Sequence, residues 1–182
     1  MSLSIPDYVA GTWDIDPVHS DVSFVVRHLG LTRFRRSFEK FTGEIVTAAD
    51  PLSSTVTATV DVTSLDTGLE AFNRHLASGE YLDTGNHPTA EFRSTALRAT
   101  EDGFELDGDL TLRGATRSVT FDLEPHGFGE GMRGEQKTAF SASTTIDRTD
   151  FGLNFGANLP NGRPIIGERV QILLEIEAVL RA

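Results

Sequence analysis

The chain has 182 residues, 38% hydrophobic and 24% charged, which is the balance of a globular domain rather than a disordered segment. A formal net charge of −11 repels phosphate backbones and so argues against a nucleic-acid partner; it also disfavours stable anchoring on an anionic membrane. With no cysteine in the sequence, disulfides, thiolate metal sites and cysteine nucleophiles are excluded.

The opening residues, Met1-Ser2-Leu3-Ser4-Ile5-Pro6-Asp7, lack a basic segment followed by an apolar run, which predicts a cytoplasmic protein. Alternation with a period of two then dominates, the mark of strands with one face inward. Trp13 and Ile15 open it. Val22, Phe24, Val26 and His28 share a face opposite Ser23, Val25 and Arg27, and a basic run, Arg33-Phe34-Arg35-Arg36, follows. Val56, Ala58, Val60 and Val62 alternate with Thr55, Thr57, Thr59 and Asp61. Over residues 64–82 the period changes: Leu65, Leu69, Phe72 and Leu76 fall at helical spacings, which predicts a short helical plug with those four on one face. Phe104, Leu106, Leu110 and Leu112 resume the strand pattern, as do Val119, Phe121 and Leu123, and finally Val170, Ile172, Leu174, Ile176 and Ala178. Asp50-Pro51, Asp102-Gly103, Arg113-Gly114 and Pro160-Asn161-Gly162 punctuate the runs as turns. Short, regular spacing of this kind predicts an all-β antiparallel meander or barrel, one domain over residues 1–182, with the helical segment over one mouth. Twelve Phe against two Tyr and one Trp suit a dry interior, because phenylalanine brings no polar atom to satisfy.

The chemistry-bearing residues form no catalytic pattern. His19, His28, His75, His87 and His126 have neither the HxxxH nor the HxH spacing of metal ligands, so no metal and no cofactor is expected. There is no Gly-x-Ser-x-Gly elbow. Asp14 with Asp16, and Asp107 with Asp109, share strand faces that read as solvated ones. Gly127-Phe128-Gly129 and Gly131 read as a flexible loop rather than a phosphate cradle. His28 stands apart, because alternation aims it at the side occupied by Phe24 and Val26; it must bond to a neighbour or meet something polar near a rim.

The run Trp13-Asp14-Ile15-Asp16-Pro17-Val18-His19-Ser20, followed by Phe24-Val25-Val26-Arg27-His28-Leu29-Gly30, resembles the opening of the YceI-like, polyisoprenoid-binding family. Further blocks match in order: Ser64-Leu65-Asp66-Thr67-Gly68, Arg74-His75-Leu76, Tyr81-Leu82-Asp83, His87-Pro88-Thr89-Ala90-Glu91-Phe92 and Leu110-Thr111-Leu112-Arg113-Gly114-Ala115-Thr116-Arg117-Ser118-Val119. Ile146-Asp147-Arg148-Thr149-Asp150-Phe151-Gly152-Leu153 and Ile166-Gly167-Glu168-Arg169-Val170 complete the set. The resemblance implies a lipocalin-like antiparallel barrel enclosing a polyisoprenoid lipid or isoprenoid quinone, and many members of that family are exported to the periplasm. On this reading Phe24, Val26, Phe92 and Phe121 contact the tail, Phe72 and Leu76 turn inward from the plug, and the polar head sits near His28, Arg74 and His75, with Asn154 a weaker candidate. Arg74 has a surface alternative, pairing with a nearby carboxylate. Two other functions stay open: an enzyme using His28, His75 or Arg74 as acid or base on an isoprenoid or quinone, and a ligand-free interaction module forming a homodimer through a sheet edge.

Overall fold

The computed structural model describes residues 5–182; residues 1–4 of the stretch read for a leader lie outside them. Strands β1 (Gly11–Ile15) and β2 (Asp21–His28) are two halves of one path, and both pair with the last strand, β11 (Ile166–Leu180). The same break recurs twice. β3 (Thr32–Phe38) pairs with β2 while β4 (Phe41–Thr47) pairs with β1; β5 (Thr55–Asp61) pairs with β4 while the two-residue β6 (Leu65–Asp66) pairs with β3. After helix α1 (Glu70–Ala77), β7 (Thr89–Ala99), β8 (Phe104–Leu112), β9 (Ala115–Glu130) and β10 (Gln136–Asp147) meander back to β11. With each broken path counted once, the sheet is a closed antiparallel barrel of eight strands, in which β3 meets β6 only at Ser37 and Phe38.

Local chemistry explains one of the breaks. The Asp61 carboxylate accepts from the Thr63 backbone N–H at 2.9 Å, capping a 3-10 turn over Val62–Ser64 that ends β5. Val62, expected on the strand, is buried in this turn. The helix is shorter than its sequence pattern. Gly68 takes a left-handed φ of 81° and the Asn73 side chain accepts from Thr67 N–H at 2.8 Å, so helix begins only after Leu69. Leu65 therefore lies in β6 opposite Phe38, Leu69 is solvent-exposed, and only Phe72 and Leu76 of the expected four sit on the helix. Gly127-Phe128-Gly129 is strand, not loop: Gly127 and Gly129 pair with Ala139 and Lys137. The glycines hide the alternation because they have no side chain for the outer face, while Phe128 between them is buried.

Two apolar clusters mark the two ends of the barrel. Leu110, Ile146, Phe151 and Leu153 pack with Leu82 and Phe92 towards α1. Trp13, Phe128 and Ala178 pack with Tyr8, Ile45 and Phe140 at the opposite end.

Candidate functional site

The inward faces enclose a cavity of about 560 Å³, within the roughly 300–1,000 Å³ typical of small-molecule sites. Period-two alternation supplies its wall: Val22, Phe24 and Val26 from β2, Leu106 and Leu110 from β8, and Ile172, Leu174 and Ile176 from β11. Its lining on β11 runs from Ile166 to Ile176, with a bulge between Ile166 and Val170 that takes up two residues against β2, so it covers about 26 Å of strand and roughly 20 Å along an axis to which barrel strands tilt. The space is long and narrow. Phe92 leans across Gly108, where any Cβ would overlap its ring, and meets Phe121 edge-on at 5.3 Å. Over the α1 end, Phe72 packs edge-on against Phe34 at 6.2 Å, and Tyr81 packs on Phe155 at 4.4 Å.

Among the described residues, Arg27, His28 and Arg148 are the only wall groups that can carry positive charge, and no carboxylate lines the cavity. The three gather at one end. Ile166 is the cross-strand partner of His28, and Gly167 lies against Arg27. Arg148, 5% exposed, donates from Nε to the Gly167 carbonyl at 3.0 Å, from Nη2 to that of Ile166 at 3.1 Å, and from Nη1 to that of Leu153. Its guanidinium lies 4.5 Å from the centroid of the Phe155 ring, a cation–π arrangement. Burial holds Arg148 below the ordinary arginine range, against the opposing pull of Glu168 and Asp147. A dry apolar tube with a cationic rim can hold an apolar chain and meet a polar or anionic head at that rim.

Of the residues expected from sequence to contact a ligand, Phe24, Val26, His28, Phe72, Leu76, Phe92 and Phe121 line this cavity. Arg74, His75 and Asn154 do not. Arg74 points to solvent and bonds Glu70 at 2.7 Å, the surface alternative. His75 is exposed and rests against the Tyr81 ring at 4.5 Å, and Asn154 is exposed beyond the turn at Arg148–Phe151. Sequence reasoning missed Arg27, Arg148, Tyr81 and Phe155 on the wall. Arg148 lay inside a block already matched to the family, but alternation is silent where the chain leaves β10 for a 3-10 turn. Asp16, His19 and Glu177 also converge, with donor atoms within 4.8 Å of one another. Those atoms are already engaged: His19 Nδ1 bonds Asp16 at 2.7 Å and Lys137 Nζ bonds Glu177 at 2.6 Å. The trio reads as an ion-pair network.

A family profile described as "YceI-like domain" matches residues 13–178. A UPF0312 protein of Vibrio cholerae is 34% identical over 159 residues, covering 83% of this chain and 82% of its own. A UPF0312 protein of Pseudomonas paraeruginosa is 30% identical over 167 residues, covering 91% and 84%. Among solved structures, Burkholderia cenocepacia BcnA superposes with a TM-score of 0.74 at 25% identity, covering 90% of this chain and 98% of its own. A polyisoprenoid binding domain from Saccharophagus degradans shares the fold, with a TM-score of 0.71 at 15% identity over 95% of this chain and 100% of its own.

Proposed function

The chain belongs to the YceI-like domain family, and from that premise we propose that it is a non-catalytic binding protein. It holds a long-chain isoprenoid amphiphile, a polyprenyl phosphate or an isoprenoid quinone, in the barrel lumen for transport, storage or sequestration. One observation carries the reading: a long, carboxylate-free apolar cavity whose cationic groups all sit at one rim. Each buried CH₂ of a chain contributes roughly 0.8 kcal/mol, so a few isoprene units outweigh the cost of ordering the guest. The head, which cannot be buried unpaired, lies at the rim, where Arg148 can bind a phosphate and His28 can donate to a carbonyl. The name of the Saccharophagus degradans neighbour supports the same ligand class.

Native mass spectrometry of the freshly purified protein, followed by organic extraction, tests this. A stoichiometric, chemically unmodified prenyl lipid is expected in wild type, and its loss in a folded Phe24→Asp variant. A guest that is converted on incubation would make the protein an enzyme. Failure to take up any added prenyl probe would remove the lumen as its site.

A further inference from the structure

β2 and β3 are joined through Leu29, Gly30 and Leu31, the first two in the left-handed region with φ of 56° and 68° and Leu31 N–H donating to the His28 carbonyl at 3.0 Å. A leucine in this left-handed region carries a conformational cost. The next residue, Leu31, is 72% exposed, so the hairpin ends in an apolar tip. Its stem is equally unusual. Residues 22–38 contain four arginines and no carboxylate, in a chain with 27 acidic and 16 basic residues. The register sets Arg27 directly opposite Arg33, with Arg35 two residues further along the same outer face, an arrangement in which like charges repel.

Some cations elsewhere on the barrel have close carboxylate partners, Arg98 with Glu105 and Asp107 and Arg181 with Asp14 and Glu44, while others, such as Arg113 and Arg117, bond backbone carbonyls. In the hairpin, Arg27 donates to the Leu31 carbonyl at 2.9 Å and Arg33 to the Gln171 side-chain oxygen at 3.3 Å. Arg35 alone of these three reaches a carboxylate, Asp21, at 3.5 Å. The neighbouring acids Glu168 and Asp66 act on Arg148 and Arg36 instead. A row of three guanidinium groups, two of them (Arg27 and Arg33) without a carboxylate partner, leads to an exposed leucine beside the rim of an apolar lumen and complements a surface with anionic headgroups over a hydrocarbon interior.

We propose that the β2–β3 hairpin docks the rim of the barrel on an anionic lipid bilayer, so that an amphiphile passes between bilayer and lumen beside His28. This deepens the reading of the lumen as a lipid site and rests on it. The acidic remainder of the molecule repels the same surface, which makes the contact transient and salt-sensitive.

Co-sedimentation with vesicles of phosphatidylcholine alone and of equimolar phosphatidylcholine and phosphatidylglycerol tests the docking. Binding is expected on the anionic vesicles only. It should fall by about tenfold or more in Arg33→Glu/Arg35→Glu, weaken in Leu31→Asp, and persist in Arg33→Lys/Arg35→Lys, which keeps the charge; thermal melts confirm that each variant is folded. Equal binding to both vesicle types, or unchanged binding by the charge-reversed variant, would overturn it. Binding indifferent to Leu31→Asp and competed away by soluble polyphosphate would also overturn it, assigning the face to a soluble polyanion. Uptake of a prenyl probe from detergent solution, with no vesicle present, keeps the two readings apart. Vesicle binding without uptake sinks the lumen reading alone, and normal uptake without anionic-vesicle binding sinks the docking alone.

Discussion

A guanidinium is costly to bury without partners, and Arg148 meets that cost with carbonyls rather than carboxylates. By donating to Leu153, Ile166 and Gly167 it ties the segment after β10 to the start of β11, and it holds its positive charge at the rim without a directly bonded carboxylate. One side chain thus closes the loop and charges the mouth. Arg148→Met should destabilise the protein by roughly 3 kcal/mol, because charged hydrogen bonds are lost and carbonyls are orphaned, as measured by urea denaturation. Arg148→Lys should recover little of that stability, since an ammonium lacks the planar fork that reaches several carbonyls at once. Affinity for a prenyl phosphate should fall further than affinity for a hydrocarbon analogue in Arg148→Met, and by less in Arg148→Lys, which keeps the charge.

At the scale of elements, α1 contributes to the wall through Phe72 and Leu76 while Glu70 and Arg74 pair on its solvent side. Neither inward residue is fully buried, so Phe72→Ala/Leu76→Ala should leave the barrel folded and speed release of a bound prenyl probe by at least about tenfold, read in a stopped-flow displacement assay. Sequence pattern anticipated this cap, although its helix is confined to Glu70–Ala77. Strands with contrast between faces were legible: β2, β8 and β11 each set a branched or aromatic stripe against polar neighbours. β3 and β4 were not, because Arg36 shares the inward face with Phe34 and Phe38 and Gly43 interrupts the run that follows. β10 escaped notice because its inward set includes small residues such as Ala142 and the buried Thr138. The same logic divides the site. The apolar wall follows from alternation, whereas the rim is assembled from a turn, a strand end and a strand start that only the closed barrel brings together.

Across the whole molecule, acidic groups on the outer surface are tuned towards their charged forms. The hydrogen bond from Arg98, helped by the Thr120 hydroxyl, holds Asp107 down at about 2. Asp14, lowered mainly by Arg181, and Asp16, lowered mainly by His19, shift in the same direction. A carboxyl depressed on folding contributes stability above its unfolded value, 3.8 for Asp107, and loses that contribution as pH falls through its folded value. The midpoint of thermal unfolding should therefore drop steadily from about pH 4 downward. Asp107→Asn should be less stable than wild type at neutral pH but show a shallower decline between about pH 4 and pH 2, checked by melts across that range. An unchanged slope would show that the Arg98–Asp107 pair contributes nothing to acid sensitivity.

The chain contains one tryptophan. Trp13 is fully buried at the end of the barrel away from the cationic rim, with its indole Nε1 donating to Thr47 Oγ1 at 2.8 Å and its ring 5.3 Å from Phe128. Nature has thereby placed a single indole fluorophore at a known depth. A quinone whose head lies at the rim keeps its redox ring roughly a lumen length away, about 20 Å, and leaves the indole emission undimmed by contact. A quinone seated the other way round brings that ring beside Phe128 and darkens the emission. Without a label, the brightness of this protein tells which way its guest is facing.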